Sequence, residues 1–153
     1  MKLAEALARR ADLSTRMAEL RGRALAVAQH QEGEPPAEDP AELLAEADRA
    51  AEELRGLMVR INTTNLGTHL ADGESVTSAL ARRDVLRLRH RFRVELADRA
   101  ISGGAFRSLR SEIRQVSAVD VRALRGEADL LARELREVDT RLQEVNWASE
   151  LIE

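Results

Sequence analysis

Apolar residues recur along this chain at alternating intervals of three and four positions, the spacing that lines one face of an α-helix. The first line predicts a helix over residues 2–31 and consists of Leu3, Ala6, Leu13, Met17, Leu20, Ala24 and Val27. The second predicts a helix over residues 40–63 and consists of Leu43, Ala47, Ala50, Leu54, Leu57 and Ile61. Pro35 and Pro36 forbid a continuous helix between them. The first half of the chain therefore predicts two helices joined by a loop.

Two further lines follow in the second half of the chain. A helix over residues 75–102 is predicted with a buried line of Ala81, Val85, Leu88, Phe92 and Leu96. The last helix, over residues 119–150, has the most regular line, which consists of Val121, Leu124, Ala128, Leu131, Leu135, Val138, Leu142 and Val145. Residues 105–118 fit either a helical face or a short extended segment.

The polar residues between these lines predict where the helices begin and turn. Asp39 is suited to cap the second helix, with Pro40 in its first position. Asp72–Gly73 is typical of a turn, and Ser75 or Thr77 is suited to cap the third helix. Ser117–Asp120 resembles a capping box before the last helix.

The predicted fold is all-α, because isolated helices are only marginally stable in water and must pack together. Four long amphipathic helices form antiparallel coiled-coil-like hairpins or a four-helix bundle. We expect one helical domain over residues 1–153.

The composition disfavours several kinds of active site. The chain contains no cysteine, which excludes disulfides and thiolate metal sites. His30, His69 and His90 lack the spacing of metal ligands, and Gly103–Gly104 is not followed by the lysine of a phosphate-binding loop. We predict no catalytic, cofactor-binding or metal-binding residue, and an enzyme is the least supported class.

Charge is unevenly distributed, although the net charge is only −3. Residues 66–118 contain ten arginines and six acids. Internal pairing with acidic helices is the favoured explanation. The alternative is a binder of an acidic partner or nucleic acid, with Arg82 and Arg83 as contacts. No aromatic residues are interleaved for base stacking, which makes nucleic acid the less favoured partner.

A third possibility is a small-ligand protein using two polar stretches. These stretches contain the candidate contacts Asn62, Thr64, Asn65, Arg110, Glu112 and Arg114. Such residues also commonly satisfy backbone groups at helix ends, which is the simpler explanation for the first stretch.

Additional apolar residues lie beside the predicted lines and favour a homo-oligomer, most simply a symmetric dimer. Leu86 and Val94 of the third helix are candidate interface residues, together with Trp147 near the end of the last helix. The leading functional hypothesis is a structural or protein-interaction module that self-associates.

No stretch is typical of a signal peptide or a membrane span. The longest early apolar run, residues 24–28, is far shorter than the ~20 residues needed to cross a bilayer. We therefore expect a cytoplasmic protein without membrane association.

Several short motifs occur in order along nearly the whole chain: MKLAEAL at 1–7, QEGE at 31–34, AEDP at 37–40, INTTN at 61–65, ALARRD at 79–84, RSEIR at 110–114 and NW at 146–147. Taken together, they resemble a family of small bacterial helical proteins labelled septicolysin. The resemblance implies an all-helical fold. The label suggests a cytolysin, but no apolar insertion segment or cysteine is present to support lysis.

Overall fold

The protein, represented by a computed structural model, is described here over residues 1–102 and 116–153. Four α-helices account for most of these residues: α1 spans Leu3–Ala26, α2 Pro40–Gly67, α3 Val76–Ser102 and α4 Val121–Ala148. Within this part of the chain, the only β pairing is an isolated antiparallel bridge between Lys2 and Glu150. The predicted all-α fold is confirmed. The question of helix or strand at residues 105–118 falls mostly outside the described residues.

The chain divides into two compact units. The first comprises residues 1–69 and 145–153, and the second comprises residues 70–144. Each contains one antiparallel pair of helices, α1 with α2 and α3 with α4. The antiparallel direction is evident from ion pairs, because Arg9 pairs with Glu53 whereas Arg23, later in α1, pairs with the earlier Glu38.

Helix starts follow the predicted capping chemistry in α2 and α3, whereas α4 is capped by a different residue from the one predicted. The Asp39 carboxylate accepts a hydrogen bond from the Ala41 amide at 2.8 Å, with Pro40 in the first position of α2. The Ser75 hydroxyl accepts from the Ser78 amide at 3.2 Å. Asp120 caps α4 by accepting from the Ala123 amide at 3.0 Å. The predicted capping box at Ser117 is therefore wrong, since Ser117 bonds to Val119 instead.

Two helix ends differ from the predicted bounds. α1 ends at Ala26 rather than residue 31, and Val27 is its C-cap residue. α2 continues to Gly67 rather than residue 63. Thr63 and Thr64 lie within the helix, and their hydroxyls donate to the carbonyls of Val59 and Arg60 at 3.1 and 2.8 Å.

Three of the four predicted apolar lines are buried or half-buried as expected, namely those of α1, α2 and α4. The core of the first unit centres on Leu3, Leu13, Leu57 and Ile61. In α4, Val138 and Leu142 are among the most buried residues. The predicted line of α3 is wrong, because Ala81, Val85, Leu88 and Phe92 are exposed and only Leu96 is half-buried.

The C-terminal segment closes the first unit. The Leu3 amide donates to the Ser149 carbonyl at 3.0 Å, and the Leu151 amide donates to the Met1 carbonyl at 2.8 Å. Leu151 lies in the core with Leu3 and Ile61. The two ends of the chain therefore pair through backbone hydrogen bonds and a shared apolar contact.

Among the described helices, none is both long enough and sufficiently hydrophobic to span a membrane.

Candidate interaction surface

The helix α3 carries two lines of residues with coiled-coil spacing. One line is buried or half-buried and alternates between apolar and basic side chains; its members are Val76, Ala79, Arg83, Leu86, His90, Arg93, Ala97 and Ala100. The other is exposed and consists of Ala81, Val85, Leu88 and Phe92. At 3.6 residues per turn, the two lines lie on roughly opposite sides of the helix. We call the exposed line the outward face of α3.

The buried line packs against α4 despite its polar members, because acidic side chains of α4 meet the arginines. The Arg93 Nε lies 2.7 Å from the Glu127 carboxylate, and the Arg83 Nε lies 4.0 Å from that of Asp139. Both arginines are three-quarters buried along their side chains. Arginine is suited to this position because its aliphatic stem covers apolar surface while its charged end reaches an acid at the edge.

The outward face contains three large apolar residues that remain exposed. Val85 is 53% exposed, Leu88 66% and Phe92 63%. Their spacing of three and four residues places them side by side in one line along α3. Single exposed apolar residues are ordinary on protein surfaces, whereas a contiguous apolar line typically marks an interaction site.

Charged residues border the outward face on both sides. Asp84 and Arg91 lie along one edge, whereas Arg82 and Arg89 lie along the other. The Arg91 Nε donates to the Glu95 carboxylate at 2.6 Å, and this hydrogen bond raises the pKa of Arg91 above its ordinary value.

Most arginines of α3 already have acidic partners. Arg82 pairs with Glu74 at 2.6 Å, just before the helix. Arg87 lies 3.4 Å from Asp139 of α4. Arg83, Arg91 and Arg93 are paired as well. The expected pairing with an acidic helix is seen for Arg87 and Arg93, and for Arg83 at 4.0 Å, whereas Arg82 and Arg91 pair with acids just before or within α3. These pairs leave less unpaired positive charge for an external partner.

The three predicted interface residues have different environments. Leu86 is only 3% exposed and belongs to the buried line of α3, so its assignment to an intermolecular contact is wrong. Val94 is 36% exposed and lies outside the outward face. Trp147 is 63% exposed near the end of α4, where it stays a candidate contact.

The predicted polar contacts of α2 are partly structural. Thr64 is 1% exposed, and its hydroxyl accepts a hydrogen bond from the Ile152 amide at 3.0 Å. The C-terminal segment therefore already hydrogen-bonds to Thr64, one of the predicted ligand contacts. Asn62 is exposed and Asn65 half-buried. The expected role of this stretch in satisfying backbone groups is confirmed for Thr64.

The remaining candidate contacts are divided among the two units and the residues that the structure does not describe. Arg82 and Arg83 belong to the second unit and Thr64 to the first, whereas Arg110, Glu112 and Arg114 fall outside the described residues. One shallow cavity of about 420 Å³ lies along α4 and is lined by Arg133, Arg136, Glu137, Thr140, Arg141 and Glu144. Among the described residues, no group of three or more acidic or histidine side chains is arranged to hold a metal ion.

Sequence reasoning missed the outward face because it assigned the larger apolar residues of α3 to the core. A signal was present in the alternation of Val76, Ala79, Leu86 and Ala97, which continues the three-and-four spacing through Arg83, His90 and Arg93. Both lines have helical spacing. The acids of α4, above all Glu127 beside Arg93, distinguish the inner line from the outer one.

Comparison with known proteins gives a family and a close structural relative. The model of a family of unknown function (DUF6847) matches residues 10–151. The chain belongs to this family. The crystal structure of a functionally unknown conserved protein from Corynebacterium diphtheriae is similar, with 41% sequence identity, 99% of each chain covered and a TM-score of 0.92. No curated protein matches the chain.

Proposed function

We propose that this DUF6847 protein is a helical protein-interaction module that self-associates through the outward face of α3. The observation that supports the proposal is the exposed line of Val85, Leu88 and Phe92, each more than half exposed. Two apolar positions per heptad are what one neighbouring helix covers in a coiled coil. The face therefore has the width and spacing to accept one additional helix.

Burying this face supplies the driving force for association. Apolar surface removed from water stabilises a complex by roughly 25 cal/mol per Å². Aromatic side chains such as Phe92 often dominate the energy of an interface when they lie near its centre. We therefore expect Leu88 and Phe92 to contribute most of the affinity, and the charged borders to set orientation.

The two alternative functions have weaker support. An acidic or nucleic-acid partner would require arginines free to neutralise it, whereas five arginines of α3 already pair with acids. A small-ligand site at Thr64 would have to displace the Ile152 amide that its hydroxyl now binds.

Light scattering across a wide range of protein concentrations tests the proposal. We expect the average mass of the wild type to rise above 17.0 kDa, the mass of one chain, as the protein concentration increases. The variant combining Leu88→Glu with Phe92→Glu should remain monomeric, because two carboxylates would lie within the apolar contact. A matched control combines Leu25→Glu with Leu130→Glu, residues that are 61% and 63% exposed on other helices.

The control variant should associate like the wild type. A wild type that stays monomeric at all concentrations would overturn self-association. A Leu88 and Phe92 variant that associates as strongly as the control would show that the outward face of α3 is not the contact.

A further inference from the structure

We infer that the outward face of α3 pairs with the same face of a second copy in antiparallel orientation, which closes the assembly as a two-fold symmetric dimer. This inference rests on the proposed function and names the partner surface and its register. The supporting observation is that the outward face is complementary to itself when one copy is reversed, both in side-chain size and in border charge.

Size complementarity fixes the register. In an antiparallel pair of coiled-coil helices, the two kinds of apolar position face one another. The register that aligns Val85 with Leu88 of the second copy also places Ala81 opposite Phe92. Every layer then combines a larger with a smaller side chain, so the separation of the two helices stays even along the contact.

Border charges agree with the same register. This antiparallel register brings Asp84 of one copy beside Arg91 of the other. The two-fold symmetry places a second, identical pair in the contact. Both side chains are exposed, with relative exposures of 61% and 75%, and both are free to exchange their present neighbours on α3 for each other. Two intermolecular ion pairs on one edge follow from a single register.

The opposite edge is basic in both copies, because Arg82 approaches Arg89 of the second copy. The charge of Arg82 is offset by Glu74, whose carboxylate lies 2.6 Å from the guanidinium. This neighbour reduces the repulsion along that edge.

A parallel pair is less favourable at its ends. It would place Phe92 against Phe92 and Ala81 against Ala81, which gives layers of unequal width. It would also align Glu95 with Glu95 and Arg99 with Arg99 along the contact line, and like charges in direct opposition are destabilising. In the antiparallel register, Glu95 faces Ser78 instead.

When identical surfaces pair about a two-fold axis, each surface is covered by the other. Neither remains exposed to bind a third chain, so the assembly stops at two chains. A head-to-tail contact between the outward face of α3 and a different surface would leave both surfaces available and produce larger assemblies. The inference therefore predicts a limiting mass of two chains.

Reversing the border charges tests the register. Asp84→Arg or Arg91→Asp alone should raise the dimer dissociation constant by about tenfold, because ion pairs are replaced by like charges. The double variant Asp84→Arg with Arg91→Asp should restore the wild-type value. The matched control is Asp129→Arg with Arg136→Asp, an exposed pair with the same seven-residue spacing on α4, which should leave dimerisation unchanged.

The outcomes separate the register from the proposed function. Restoration by the double variant supports the antiparallel contact. Restoration by Asp84→Arg with Arg89→Asp instead indicates the parallel contact and overturns the inference, as does a mass that exceeds two chains. A monomeric wild type overturns the proposed function itself.

Cysteine crosslinking provides a second readout that does not depend on charge. The chain contains no cysteine, so introduced thiols are unambiguous. An equal mixture of Val85→Cys and Leu88→Cys should form a mixed disulfide faster than either variant alone forms its own. Faster crosslinking of each variant with itself would overturn the antiparallel register.

Discussion

The hairpins α1–α2 and α3–α4 differ in the kinds of side chain that line the contact between their two helices. Both helices of the first hairpin contribute apolar lines, and charged pairs such as Arg16–Glu46 remain at its margins. In the second hairpin, α4 is apolar along its inner line, whereas α3 contributes Arg83 and Arg93 to the contact. Val85, Leu88 and Phe92 of α3 face solvent instead.

This difference shows that helical spacing reveals which residues share a face of a helix, but not whether that face is buried or exposed. In α1, α2 and α4 one apolar line exists, and it is the buried one. In α3 two lines exist, and the more hydrophobic one is exposed. A helix that turns its larger apolar residues away from its own hairpin has surface available for another chain, which is the basis of the proposed function.

The largest expected effect distinguishes the two lines of α3. Leu86→Glu should destabilise the protein by on the order of 3–5 kcal/mol, because Leu86 is 3% exposed and a carboxylate there would be buried without a partner. Leu88→Glu, two residues further on, should leave the stability of the monomer within about 0.5 kcal/mol. Urea unfolding followed by circular dichroism, at a concentration where the protein is monomeric, measures both. Equal destabilisation by the two substitutions would refute the assignment of faces.

A smaller effect tests how the first unit is closed. Thr64→Val should lower stability by about 1 kcal/mol, because the Ile152 amide loses its hydrogen-bond acceptor. The control is Thr63→Val, since the exposed Thr63 hydroxyl bonds to the Val59 carbonyl of its own helix. Thermal unfolding compares the two variants. Identical melting temperatures would mean that the contact between Thr64 and the C-terminal segment contributes nothing.

A third effect concerns pH and the paired chain ends. A hydrogen bond from Lys2, reinforced by the terminal amine, lowers the pKa of Glu150 below its ordinary value of 4.5. A carboxylate with a lowered pKa stabilises the folded state above the ordinary pKa and loses that contribution as pH falls through the folded-state value.

Glu150→Gln should therefore reduce the loss of thermal stability that the wild type undergoes between about pH 5 and pH 3. Glu153→Gln is the control, because that carboxylate lies beyond the paired ends. If both variants follow the wild-type profile, the Glu150 contacts do not contribute to folding.

The smallest effect should come from the ion pairs of the first hairpin. Arg16→Gln removes the pair with Glu46, in which the arginine side chain is 60% exposed and the glutamate side chain 31%. Exposed pairs typically contribute less than about 1 kcal/mol, so the midpoint of urea unfolding should change only slightly. A loss comparable to that of Leu86→Glu would mean that charge, rather than the apolar line, holds α1 against α2.

Much of the fold was predictable from the sequence, since the regular lines of α1, α2 and α4 and the caps at Asp39 and Ser75 depend on local spacing and local hydrogen bonds. The interaction surface was not. Whether Leu86 or Leu88 is buried depends on the acids of α4 that receive Arg83 and Arg93, more than thirty residues away in the sequence. The role of Thr64 likewise depends on Ile152, which only folding brings near.

Thiol labelling of single-cysteine variants tests the central claim most directly, because the chain has no cysteine of its own. The three variants are Leu86→Cys, Leu88→Cys and, as an exposed control on α4, Leu130→Cys. We expect slow labelling at position 86 and fast labelling at position 130 at every protein concentration. Position 88 should label fast in dilute solution and become protected as concentration rises. Labelling at position 88 that is equally fast at all concentrations would contradict an intermolecular contact at the outward face of α3.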